Sequence, residues 1–258
     1  GNWTMGSLAV SEHFSLLWVG ASWAVWLGCY WLGAWLLSLS RRYRSWHKGA
    51  QHHAKTTIPS YCFIIAVVPM SVYALANDAE LAASRQLGST PLSRLIINMA
   101  TGYFLFDSLA VLLHMGSHGA QYLLHGVLCL VTYGMAAMFD VYHYWGPTFL
   151  LFEVTTLFIN ARWWFVQMEN KDSMGYTLNG LLLIMAWLGV RIVFGLSQSY
   201  VFWQDAFSPA SANVPTPIFA WYAFSNISLN LLNIFWFYKI MKSALGFFGG
   251  GKGKGKGA

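Results

Sequence analysis

Charge is scarce in this chain: Asp, Glu, Lys and Arg together make up 9% of its 258 residues. A soluble domain carries about a quarter, so an ordinary water-facing surface is excluded. Cysteine is scarce too. Cys29, Cys62 and Cys129 each fall in a different apolar run, which points to neither a disulfide framework nor a Cys-rich metal site and leaves the redox compartment undetermined. No internal repeat and no polar stretch long enough for a soluble domain interrupts the pattern. What is abundant is apolar and aromatic: 57% of residues are hydrophobic and 17% are Phe, Trp or Tyr, with 14 Trp and 13 Tyr. Many of these rings sit near the ends of apolar runs, where an apolar body with a polar tip suits the headgroup level. The composition is that of an integral membrane protein.

Runs of about 20 apolar residues are long enough to cross the hydrocarbon as helix. Seven are readable: approximately Phe14 to Leu39, Ile58 to Asn77, Leu95 to His114, Gln121 to Phe139, Thr148 to Met168, Tyr176 to Ser199 and Ile218 to Met241. The fold expected is all-α, a polytopic membrane bundle. The first run is too long for a signal-peptide core and is followed by a basic cluster, so it is expected to stay as an anchor. Pro91, Pro147, Pro209, Pro215 and Pro217 fall between spans, Pro59 fits a first helical turn, and Pro69 is expected to kink the second span.

The formal charge of +6 is concentrated in Arg41, Arg42, Arg44, Lys48 and Lys55, and in Lys239, Lys242, Lys252, Lys254 and Lys256. Such clusters beside membrane helices report topology and contact with anionic headgroups, and nucleic acid is not an expected partner. With seven spans the two clusters share a side, which the positive-inside rule makes cytosolic, and the N-terminus is then luminal. The sequon Asn2-Trp3-Thr4 faces the lumen, whereas Asn226-Ile227-Ser228 lies inside the last span. The ending Lys254-Gly255-Lys256-Gly257-Ala258 has the form of a cytosolic endoplasmic-reticulum retrieval signal and equally that of a flexible Gly/Lys tail. The endoplasmic reticulum is the favoured location.

Polar residues inside apolar spans are costly and mark interior sites. Glu153, Thr156 and Asn160 are spaced to share one face of the fifth span, while Arg162, nine residues beyond Glu153, is expected to point elsewhere and snorkel to a helix end. Arg191 in the sixth span, read on about the same face as Asn179, is either a grip for a carboxylate or phosphate or an ion-pair partner for Glu153 or Asp107. Asn226, Asn230 and Asn233 form a polar stripe on the seventh span. Asp107 and His125 are expected at membrane depth on neighbouring helices, separated by a tight turn at Gly116-Ser117-His118-Gly119. If they meet they form either an acid-base pair suited to acyl transfer or a helix-helix clasp. His114, His118, His125 and Asp107 lack the spacing of a metal motif, so no metal site is expected. His52-His53 reads as a solvated interfacial pair.

The run Phe152-Glu153-Val154-Thr155-Thr156-Leu157-Phe158-Ile159-Asn160-Ala161-Arg162-Trp163-Trp164-Phe165 resembles the signature of the TLC (TRAM, LAG1, CLN8) family of multi-pass membrane proteins. Further similarity lies in Gly102-Tyr103-Phe104-Leu105-Phe106-Asp107, Leu123-Leu124-His125-Gly126, Asn179-Gly180-Leu181-Leu182, Val190-Arg191-Ile192 and Leu232-Asn233-Ile234-Phe235-Trp236-Phe237-Tyr238-Lys239-Ile240. Within the family the chain resembles the TLC domain-containing protein 4 group more than the ceramide synthases. The resemblance implies six helices of a TLC domain over residues 58–242, preceded by a luminal segment, one further helix and a basic cytosolic loop in 1–57, and followed by a flexible tail in 243–258.

It also implies a cavity between helices used for long-chain lipid or acyl chemistry. The expected function is binding, sensing or moving a long-chain lipid, with Glu153, Asn160, Arg191 and Asn233 near the headgroup. The alternative is an acyl-CoA-dependent acyltransferase in which His125 is the base and Asp107 its partner. Where ceramide synthases pair two histidines, this chain has His125 followed by Gly126, which weakens that alternative. No resident cofactor is expected, acyl-CoA entering only as substrate of the alternative. The partners expected are a membrane lipid or fatty acyl group, with a homo-oligomer left open.

Overall fold

A computed structural model describes residues 9–114 and 119–249. The sequon at residues 2–4, most of the turn at 116–119 and the Lys-Gly ending lie outside them. The chain forms α1 (Leu16–Ser38), α2 (Arg41–Ser45), α3 (Lys48–Asn77), α4 (Ala79–Ala83), α5 (Pro91–Leu113), α6 (Ala120–Phe139), α7 (Trp145–Gln167), α8 (Met174–Ala206) and α9 (Thr216–Gly249). Seven of these, all but the short α2 and α4, are long and apolar enough to cross a membrane, and no strand occurs among the described residues. The protein is an all-α polytopic membrane bundle.

Caps explain several boundaries. Thr90 and Ser93 make reciprocal side-chain bonds to each other's backbone nitrogens at 3.3 and 2.9 Å, with Pro91 at the first helical position of α5. Ser173 accepts from the Tyr176 backbone nitrogen at 3.2 Å at the start of α8. At α3 the structure departs from the expected boundary. His47 caps a helix that begins at Lys48, ten residues before the apolar run, by accepting from the Ala50 nitrogen at 3.3 Å. Pro59 therefore lies in the helix interior rather than in its first turn, where it leaves the Lys55 carbonyl without its usual amide.

The centre of the bundle is α5: 56% of its most apolar stretch is buried, against 11% for α1. Glycine lets α1 lie on it. A Cβ on Gly102 would come within 2.6 Å of the Trp23 backbone nitrogen, an atom that cannot give way. Trp26 Nε1 and Ser22 Oγ then donate to the Met99 carbonyl at 3.1 and 3.2 Å, fastening the contact. The far face of α1 presents Leu17, Trp18, Trp31 and Trp35 outward.

At one end of the bundle the connections after α3 and α6 are locked together. Arg94 Nε and Nη2 donate to the two Asp140 carboxylate oxygens at 3.1 and 3.0 Å, and Ser89 Oγ donates to Asp140 at 2.7 Å. Buried His143 lies 3.2 Å from Asp140 and 3.0 Å from Ser93 Oγ. Burial pushes the Asp140 carboxyl up, but the bonds from Arg94 and Ser89, with the nearby charges, outweigh it and hold the group below its ordinary value. For His143 burial wins over the attraction of Asp140, so its value is lowered.

In acid, each group takes a proton more readily in the unfolded chain, so stability rises with pH. The His143 contribution is lost as pH falls from about 6.5 through its lowered folded value, and that of Asp140 as pH falls below about 3.9. The melting temperature in detergent is therefore expected to fall between about pH 7 and about pH 5, and less steeply for His143→Gln. An identical slope in the two proteins would remove His143 from this account.

Candidate functional site

Helix register and two local departures from α geometry build the interior. In α7 a 3₁₀ turn at Leu151–Glu153 precedes the regular helix from Val154. In α8 the stretch Trp187–Phe194 is π-helical, a wider winding that often accompanies functional sites. Both departures fall beside the same two side chains. Glu153 and Arg191, 8% and 4% exposed, face each other with Oε1 and Nη2 3.6 Å apart. Arg191 also donates from Nε to Thr155 Oγ1 at 2.7 Å and from Nη1 to Asn233 Oδ1 at 2.9 Å, and lies 4.6 Å from the Trp187 ring centroid. Thr156 Oγ1 donates to Glu153 Oε2 at 3.1 Å. Arg191 is therefore an ion-pair partner of Glu153, and its guanidinium is occupied by protein partners.

This pair forms part of the wall of a cavity of about 520 Å³ lined by residues of α3, α5, α6, α7, α8 and α9. His125, Asp107, Glu153, Asn160 and Arg191 all reach it. Asn233 lines a smaller adjoining cavity of about 70 Å³ that shares His125, Glu153 and Arg191. Most of the remaining surface is aromatic or aliphatic, including Phe104, Trp163, Leu183 and Trp236. Asn160 donates to Ser60 Oγ at 3.0 Å, tying α7 to α3.

Asp107 and His125 are on adjacent helices at similar depth, but among the described residues no hydrogen bond joins them. The imidazole instead lies 3.8 Å from Cys129 Sγ and 5.5 Å, centroid to centroid, from the Trp236 ring. Next to it, a Cβ at Gly126 would stand 2.8 Å from Ser108 Oγ and 3.4 Å from Asp107 Oδ2. A histidine at 126 has no room while α6 stays against α5. Gly126→His is expected to cost about 1–3 kcal/mol, the usual result of overpacking a close contact, read as a lowered melting temperature; an unchanged transition would show that the helices separate freely.

Other expectations are corrected. Asn179 does not line the cavity; it donates to the Phe158 carbonyl at 2.9 Å. Twelve residues at about 100° each leave it about 120° from Arg191 in a regular helix. His52 is 5% exposed and stacks on His114 with ring centroids 3.3 Å apart, rather than being a solvated partner of His53, because the helix reaches further back than the apolar run. The polar stripe on α9, by contrast, forms as expected: Asn226 and Asn230 clasp α9 to α8 through Ser199 Oγ at 3.1 and 2.8 Å, and with Asn233 they line the smaller cavity. Arg162 does reach the helix end, yet its side chain turns to the same cavity as Glu153, where Nη2 donates to Ser243 Oγ at 3.2 Å and the guanidinium carbon lies 4.8 Å from the Tyr176 ring centroid.

One end of the cavity is lined by Lys239, Arg162 and Ser243, where Lys239 is exposed and the Arg162–Ser243 bond lies at the surface; this end is its mouth. The spacing Trp236, Lys239, Ser243 on α9 is the signal that could have revealed it, since steps of three and four residues keep one helix face.

The sequence model of the family described as TLC domain (TRAM, LAG1 and CLN8) matches residues 54–242. An uncharacterized TLC domain-containing protein of Schizosaccharomyces pombe is 29% identical over 57% of this chain, and the match spans half of that relative's length. TLC domain-containing protein 4 A of Dictyostelium discoideum is 23% identical over 68% of each chain. Human TLC domain-containing protein 4 is 24% identical over 73% of this chain and 72% of its own. No solved structure matches the chain.

Proposed function

Because the chain belongs to the TLC domain family, we propose that it acts in lipid homeostasis, binding, sensing or moving a long-chain lipid in the cavity between its helices. The observation that carries this reading is a cavity of about 520 Å³ with apolar and aromatic walls, inside a bundle of membrane-crossing helices. Its buried charges, Glu153 and Arg191, compensate each other and are held by Thr155, Thr156 and Asn233. A polar patch satisfied in this way can face the polar part of an amphiphile without ionic chemistry of its own, while the walls receive its chain. Glu153, Asn160, Arg191 and Asn233 are the residues assigned to that patch.

The proposed setting is the endoplasmic reticulum, with the N-terminus luminal. Charge supports the orientation. The end of the bundle with the α1–α3 connection and the C-terminus of α9 holds Arg41, Arg42, Arg44, Lys48, Lys55, Arg162, Lys171, Lys239 and Lys242 against Glu169 and Asp172. The other end holds Arg85 and Arg94 against Glu12, Asp78, Glu80, Asp140 and Asp205. Positive charge collects on the cytosolic side.

A second reading, acyl transfer from acyl-CoA, is favoured by one feature, that Asp107 and His125 both open into this cavity. Catalytic hydrogen bonds are often long before substrate binds, so the absence of a bond between them does not decide against it.

The test is to purify the protein in mild detergent, extract it and count long-chain lipid per polypeptide by mass spectrometry, then offer labelled acyl-CoA with sphingoid and lysophospholipid acceptors. One retained lipid per chain and no product supports the binding reading. Product from the wild type but not from His125→Ala establishes the second reading. No retained lipid and no product overturns both.

A further inference from the structure

We infer that the lipid taken by this cavity carries an anionic head, a phosphate or carboxylate, received at the cavity mouth by Arg162 and Lys239. The inference rests on the binding reading above and adds the class of ligand.

Arg42, Arg85, Arg94 and Arg191 each have a carboxylate within 4 Å, in Glu169, Asp205, Asp140 and Glu153. Arg162 and Lys239 line the cavity, and among the described residues neither has a carboxylate partner. Arg162 spends one donor on Ser243 and rests its guanidinium near the Tyr176 ring. Since a guanidinium has five N–H donors in a rigid fork, most of its hydrogen-bonding capacity is uncommitted to protein. Lys239 lies 4.4 Å from the Phe235 ring centroid, and an ammonium carries three donors.

Depth separates these cations from the charges inside. Arg162 is nine residues along α7 from Glu153 and Lys239 is six along α9 from Asn233, which at about 1.5 Å per residue puts the mouth roughly 9–13 Å from the polar patch. Glu153 is thus at its depth, Asp107 faces Gly126 beside His125, and among the described residues neither carboxylate comes within 4 Å of Arg162 or Lys239. A choline or other cationic head would find two positive charges and no carboxylate there. A phosphate or carboxylate finds complementary donors of both kinds, Arg as a fork and Lys as a point charge.

The experiment compares two amphiphiles with one chain, 1-oleoyl-lysophosphatidic acid and 1-monooleoylglycerol, competing against a tritiated sample of the first on full-length protein in neutral detergent. The phosphate-bearing lipid is expected to bind at least about tenfold more tightly, as two partly exposed ion pairs allow. In Arg162→Gln/Lys239→Gln the two affinities are expected to converge, the loss falling on the phosphate-bearing lipid. Arg41→Gln/Lys242→Gln, which removes two cations from the same end without touching the cavity lining, should keep the preference.

Equal affinities in the wild type, a preference that survives in the first double variant, or an equal loss in the second would overturn the inference while leaving lipid binding intact. Displacement of the labelled lipid by millimolar inorganic phosphate would overturn the lipid-head assignment in favour of a free-phosphate site. If neither amphiphile binds the wild type, the binding reading fails and this inference with it.

Discussion

Arg191→Met is expected to destabilise the bundle by about 3–5 kcal/mol, the cost of removing one partner from a buried ion pair and leaving the other behind. Three interactions go at once: the contact to Glu153, the bond to Thr155 and the bond to Asn233. The largest part of the cost is the Glu153 carboxylate left beside an apolar side chain. Adding Glu153→Met should therefore restore much of the loss, because two well-packed apolar residues are commonly as stable as the pair they replace. Unfolding of the four proteins in detergent closes a double-mutant cycle. If the double variant is as unstable as the sum of the singles, the two residues are energetically independent and the interior site is not organised around their pairing.

If the proposed lipid site is the cavity, Gly180→Trp is expected to abolish lipid retention with little change in stability. Gly180 lines the cavity, and the nearest atom to a Cβ built on it is Arg162 Nη1 at 3.8 Å, an ordinary contact. A side chain can thus start from this position without displacing backbone, and an indole extends from there into the space a chain would occupy. Replacing a helix-interior glycine removes its propensity penalty, a gain of up to about 1 kcal/mol that offsets local crowding. Lipid per polypeptide, counted after purification, should fall at least about tenfold, as excluding a ligand by more than 1.4 kcal/mol requires, while the melting temperature in lipid-free detergent stays near that of the parent. Retention of lipid at the parental level would mean that the lipid sits elsewhere on the protein.

These two outcomes concern residues that differ in how they could be found. Glu153 and Arg191 stand out in the sequence because charge in an apolar span is expensive, and expense implies a partner or a polar space. Gly180 does not stand out. One glycine among 24 says nothing about lining a cavity until α7 and α8 are set side by side. The same holds for Gly126, whose importance comes from Ser108 and Asp107 on the facing helix.

Composition and the lengths of the apolar runs by themselves determined a seven-span all-α membrane protein, because only a helix satisfies its own backbone in hydrocarbon over such lengths. Residue order carried the resemblance to the TLC family. Spacing along α7 correctly put Glu153, Thr156 and Asn160 on one face, since regular helix geometry applies over those few residues. Spacing failed where the helix extends past the apolar run, at the first turns of α3, where His52 is buried against His114. Which of several possible partners Arg191 takes, that Asp107 and His125 share a cavity without bonding, and that Arg162 and Lys239 both line it were decided only by tertiary structure. The physical reason is that each is a relation between helices far apart in the chain, and helix periodicity specifies a face but not what the face meets.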